Sequence, residues 1–140
     1  MAMTGDQPTE RVMLAGAVED LTEIHRRLAA LPETAYGQVF VEVALAEQVR
    51  ILPAPPRVTV SWLIRTERPS VVAPLCFADH GEALARAVIG WATEWCRPDC
   101  APPTSVWIGC SDSVWIDQAR AAVQLELSDA GAQVQVEFGE

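Results

Sequence analysis

Apolar positions along the chain change period several times, and each change marks an element. Val12 to Ala15 is a continuous apolar run that stops at Gly16, and from Leu21 the apolar residues recur as Leu21, Ile24, Leu28 and Leu31. A run of strand length, a glycine turn and a stripe at helical spacing read as strand, turn and helix, the opening of a βαβ unit. Asp20 and Glu23 resemble a capping box at the start of that helix, Arg26 and Arg27 suit its far end, and Pro32 stops it. Such a turn leaves backbone N–H groups free where a phosphate can sit.

Tyr36 to Ala44 is a β-branched and aromatic run whose continuous apolarity fits a strand covered on both faces. The proline-rich connector at 51–57 cannot be helix, and it feeds Val58 to Arg65, which alternates at its start. Residues 45–50 hold one turn at most, so the third strand is expected to follow a shortened crossover or to lie mostly at an edge. Val71 to Phe77 is apolar but broken by Pro74, and its type stays open.

Asp79 and Glu82 repeat the acid spacing ahead of Leu84, Val88, Trp91 and Trp95, a second helical stripe, and the prolines at 98, 102 and 103 end it. Ser105 to Cys110 reads as a fourth strand, with Ser111 to Ser113 capping a last helix that carries Ile116, Ala119, Val123 and Leu127. Gly131 breaks that helix, and Val134 to Phe138 alternates as a final strand. The pattern predicts an α/β fold: a three-layer Rossmann-like domain with a five-stranded, mostly parallel sheet. Its first strand is expected at the centre, with any ligand at that strand's carboxyl end.

Length changes this picture little: 140 residues make one domain, expected over 11–140 behind a flexible arm at 1–10. No apolar run is long enough to cross a membrane and no secretory leader opens the chain, so a soluble, cytoplasmic protein is expected. Charge narrows the partners. Nineteen acids against ten bases, all of them arginine, leave a net charge of −9, which disfavours nucleic acid and anionic membranes.

The four cysteines lie at 76, 96, 100 and 110. The Cys96–Cys100 spacing is one residue too long for a thioredoxin-like dithiol, and no second pair or nearby histidine completes a zinc set. Reduced structural thiols are the default reading, with a Cys96–Cys100 disulfide left open. His25 falls off the apolar stripe and reads as a surface residue, and His80, at a cap, reads as solvated. Glu42 stands near the end of the second strand, where an acid about 20 residues or more past a glycine turn can accept a ribose hydroxyl. A carboxylate in water is the favoured alternative. The ligand-side candidates are Gly16, Ala17, Glu42, Cys110, Ser111 and Asp112; no residue is assigned a catalytic role or a metal.

Several blocks resemble one family. Leu14-Ala-Gly16, then Leu21, Ile24, Arg26-Arg27-Leu28 and Leu31-Pro32, are similar to the start of the carboxyl-terminal domain of siderophore-interacting proteins, ferric-siderophore reductases related to ferredoxin–NADP reductases. The likeness runs through Val41-Glu-Val-Ala44, Leu52-Pro-Ala-Pro55 and Val58 to Arg65, and resumes at Val106-Trp-Ile108. It implies a nucleotide-binding domain with strand order 3-2-1-4-5. The chain also departs from the family. Ala17, Val18 and Glu19 replace an Asp-Glu-Thr set that helps hold cofactor, and Gly109, Cys110 and Ser111 replace Ala-Gly-Glu. A cysteine in place of that glycine is expected to crowd a ligand. The chain ends at Phe138-Gly-Glu140 in place of a Gly-Tyr-Trp-Arg tail, and the family's flavin-binding barrel is missing from it.

Three functions follow as expectations. The first is an NAD(P)H-binding module of a flavin-dependent ferric-siderophore reductase system, inactive alone, with FAD supplied only by a partner chain. The second is a non-catalytic interaction or scaffold domain that has lost its cofactor, joined to a flavin-domain protein or to itself, with Trp91 and Trp115 able to face outward. The third is thiol redox through Cys96, Cys100 or Cys110, the last expected to have a lowered pKa at a helix start if exposed.

Overall fold

Arg11–Ala17 (β1) is buried along all seven residues and is the middle strand of the sheet. The computed structural model describes residues 11–72, 76–95, 104–110, 112–130 and 134–139; the arm at 1–10, Cys96, Cys100, Ser111 and Gly131 lie outside them. The remaining strands are Tyr36–Val43 (β2), Arg57–Ile64 (β3), Thr104–Ile108 (β4) and Val134–Phe138 (β5), in the order β3-β2-β1-β4-β5. Every pairing is parallel, with Leu14 opposite Val39 on one side and Trp107 on the other. β3 is indeed an edge strand, reached through the single 3-10 turn Ala46–Gln48.

The three helices, Leu21–Ala29 (α1), Glu82–Trp95 (α2) and Val114–Ala130 (α3), cover the sheet because β1 alternates. Val12 and Leu14 pack with Ile24 and Leu28 of α1, while Met13, Ala15 and Ala17 pack with Leu84 and Val88 of α2 and with Ile116, Ala119 and Val123 of α3. From the three helical stripes read in the sequence, Ile24 and Leu28, then Leu84, Val88 and Trp91, then Ile116, Ala119 and Val123 are therefore core, with Leu21 and Leu31 packed partly buried against it. Each fully buried large side chain, such as Met13 or Ile24, contributes about 1.5–3 kcal/mol. Trp91 belongs to this core, so its outward reading is corrected; Trp115 is half-buried, with its indole N–H donating to Asp79 at 3.3 Å. Among the described residues no helix is long and apolar enough to cross a membrane.

The acid pairs at the helix starts behave differently from each other. At α2, Glu82 does reach back to the Asp79 N–H, at 3.0 Å. It is fully buried, and burial alone would raise its pKa; the Asp79 and Val71 N–H groups, the Ser70 hydroxyl and Arg86 outweigh that and hold it below 4.5. At α1 the capping box does not form. Glu23 pairs with Arg26 and Arg27, and Asp20 turns away from the helix altogether.

Candidate functional site

The carboxyl ends of β1, β2 and β4 meet the starts of the helices, where a parallel sheet places its ligands. Glycines stand at the carboxyl ends of both β1 and β4, Gly16 and Gly109. A Cβ on Gly16 would lie 2.8 Å from the Asp20 Cβ, and one on Gly109 would lie 2.7 Å from the Asp20 Cγ. The space kept open at both strand ends is filled by one aspartate.

The 3-10 turn Val18–Asp20 folds the Asp20 carboxylate back over the ends of β1 and β4. Its Oδ2 accepts the N–H of Ala17 and the N–H of Cys110, each at 2.9 Å. These are donors of the kind that hold a cofactor phosphate in dinucleotide-binding domains. An anion arriving here meets N–H groups that are already bonded and a carboxylate of its own sign. As it stands, this position does not fit a pyrophosphate.

Glu42 also lies elsewhere than its favoured reading placed it. It is 2% exposed, not solvated, because α2 begins directly over it. One carboxylate oxygen accepts the Gly81 N–H at 2.7 Å and the other accepts the Leu84 N–H at 3.0 Å. Its charge is balanced by the positive end of α2. Both of its oxygens are committed to joining β2 to that helix.

Cys110 follows β4 with φ at 58°, a left-handed backbone conformation uncommon for a side-chain-bearing residue. Its thiol is not the reactive one expected from a helix start. α3 begins only at Val114, and Cys110 is buried among acids. Burial first, then Glu42, Asp112, Asp20 and Glu19, push its pKa from 9.0 up to about 12. Its thiolate fraction at neutral pH is thus about a thousandfold below that of an ordinary thiol. In a chain carrying Cys76→Ser, Cys96→Ser and Cys100→Ser, iodoacetamide is expected to label Cys110 at least about a hundredfold more slowly than a free thiol. Labelling at an ordinary rate near pH 7 would contradict this picture of the site.

His80 is the residue the linear pattern missed. It sits between these groups, with Nε2 3.0 Å from Asp112 Oδ1, 3.5 Å from Cys110 Sγ and 3.6 Å from Glu19 Oε1. On its other side, Nδ1 is 3.8 Å from Glu42 Oε1. The His80 hydrogen bond holds the exposed Asp112 carboxyl below its usual pKa. Ser113 adds a bond from its hydroxyl to the His80 carbonyl, at 2.9 Å. Thirty residues separate His80 from Cys110 in the chain, so no short motif joins them.

Of the six ligand-side candidates, the fold brings Gly16, Ala17, Glu42, Cys110 and Asp112 to the same end of the sheet. Ala17 and Glu42 line a cleft of about 170 Å³ with Val18, Glu19, Gln48, Arg65 and His80. That is below the range of typical ligand pockets. A larger cleft of about 250 Å³ lies between Arg68, Pro69 and α2.

A family model for siderophore-interacting proteins matches residues 9–137. The chain belongs to the siderophore-interacting protein family. Two crystal structures are similar to this family member. The siderophore-interacting protein SipS from Aeromonas hydrophila is 20% identical with a TM-score of 0.56, over 96% of this chain and 53% of that one. A siderophore utilization protein from T. fusca is 23% identical with a TM-score of 0.59, over 94% of this chain and 44% of that one. The chain therefore spans about half the length of these structures, which share its fold. A comparison with curated proteins returns no match.

Proposed function

We propose that this domain acts in siderophore handling as a partner-dependent binding domain that keeps the nucleotide-domain frame of its family without carrying NAD(P)H itself. The Asp20 carboxylate supports this reading: it takes up the Ala17 and Cys110 N–H groups that would otherwise be available to a dinucleotide phosphate. The surrounding acids, Glu19, Glu42 and Asp112, add to the repulsion. Reduction of a ferric siderophore then depends on flavin and nicotinamide held outside this domain.

Arg65 favours a second reading. It lines the cleft beside Ala17 and Glu42 and is the one arginine there among the described residues, so it supplies one cationic contact for a nucleotide phosphate. Isothermal titration separates the two readings. NADPH and NADH are expected to give no saturable heat at millimolar concentration, and the chain mixed with NADPH and free FAD is expected to leave a ferric siderophore unreduced. Saturable NADPH binding that disappears in Arg65→Ala would overturn the first reading and establish the second.

A further inference from the structure

We propose that His80, Cys110 and Asp112 form a binding site for a zinc-class divalent cation, with the Glu19 carboxylate as the nearest fourth donor. This inference goes beyond the reading above and does not depend on whether a nucleotide binds.

Three separate segments converge here: the turn before α2 brings His80, the end of β4 brings Cys110, and the turn before α3 brings Asp112. One donor atom from each lies within 4.8 Å of the others. Bonds of about 2.0–2.3 Å to a tetrahedral zinc place its donors roughly 3.3–3.8 Å apart. The distances from His80 Nε2 to Cys110 Sγ and Glu19 Oε1, 3.5 and 3.6 Å, are of that size. The 3.0 Å to Asp112 Oδ1 is shorter, a hydrogen-bonding distance that a small shift would open.

The imidazole cannot hydrogen-bond to every member of this group at once. A neutral imidazole nitrogen carries at most one proton, which can serve only one of the three atoms facing Nε2. Two of those atoms belong to carboxylates, and the third is a thiol whose surroundings are uniformly acidic. A cation placed among them attracts all four groups together. Behind the ring, Glu42 faces Nδ1 and is itself fixed by the Gly81 and Leu84 N–H groups. At 3.8 Å that carboxylate is beyond hydrogen-bonding reach of Nδ1, and a small shift would bring it to the place from which an acid commonly orients a metal-binding histidine. The mixture of nitrogen, sulfur and oxygen selects zinc or cobalt over magnesium or calcium, which prefer oxygen alone.

Coordination replaces the Cys110 S–H bond by a sulfur–metal bond, the proton passes to solvent, and no oxidation state changes. The side chains of His80 and Asp112, 37% and 69% exposed, leave an approach from solvent.

Cobalt(II) is a suitable probe, added to the full chain carrying Cys76→Ser, Cys96→Ser and Cys100→Ser, so that Cys110 is its one thiol. One equivalent is expected to produce a sulfur-to-cobalt charge-transfer band that zinc abolishes by displacement. Asp112→Ala and His80→Ala are each expected to weaken binding about tenfold or more. Asp112 is exposed, so its variant keeps the test decisive even where His80→Ala folds poorly. Cobalt binding without the charge-transfer band, no binding, or an affinity unchanged in Asp112→Ala would overturn the proposal. NADPH titration has no bearing on any of these outcomes.

Discussion

Gly37→Ala is expected to unfold the protein or to lower its stability by about 4 kcal/mol or more. Gly37 stands opposite Val12 in the β1–β2 register, with φ at +148°, where L side chains are strained. A Cβ there would lie 1.9 Å from the Val12 carbonyl oxygen and 2.9 Å from the Val12 nitrogen. Those are backbone atoms of the central strand, tied on its other side to β4, so they cannot withdraw without breaking the sheet. Proteins of this size retain only about 5–15 kcal/mol of net stability, and a clash of this kind removes much of it. Gly90→Ala is the control. It lies inside α2 with nothing within 4 Å of its would-be Cβ, and alanine there is expected to stabilise by about 0.5–1 kcal/mol. Urea unfolding followed by tryptophan fluorescence reads both, and a Gly37→Ala midpoint equal to the parent's would refute the packing described for β1 and β2.

The second large effect concerns Asp20. Asp20→Ala leaves the Ala17 and Cys110 N–H groups without their shared acceptor, at an expected cost of about 2–4 kcal/mol. Asp20→Asn keeps an acceptor oxygen in place and is expected to cost less than half as much. The alanine variant also opens space above Gly16 and Gly109, beside two N–H groups pointing the same way. Inorganic sulfate is then expected to raise the melting temperature of Asp20→Ala by more than it raises that of the parent, which measures the general salting effect alone. Equal gains in the two proteins would mean that this position does not accept an anion once the carboxylate is gone.

How legible these features were depends on how local their causes are. The run Val12 to Ala15, the stripe Leu21, Ile24, Leu28 and the alternation in β3 were readable because each reflects the period of its own backbone. The same local reading placed Gly16, Ala17, Glu42, Cys110 and Asp112 at one end of the sheet. It misassigned what their polar atoms do. Asp20 looked like a helix cap by its spacing to Glu23, and its oxygen went to Cys110, ninety residues away. Glu42 looked solvated because it ends an apolar run, and α2 closes over it. Cys110 looked activatable beside a helix, and burial among acids raises its pKa instead.

By itself, then, the sequence determined the element types and the parallel sheet with β1 at its centre, because period, glycine and proline act over a few residues, while the family kinship came from the resemblance of its motif blocks. Only the tertiary structure decided that the anion position is filled from within and that His80 meets Cys110 and Asp112. Both depend on where side chains from distant segments end in space, and no spacing along a single segment encodes that.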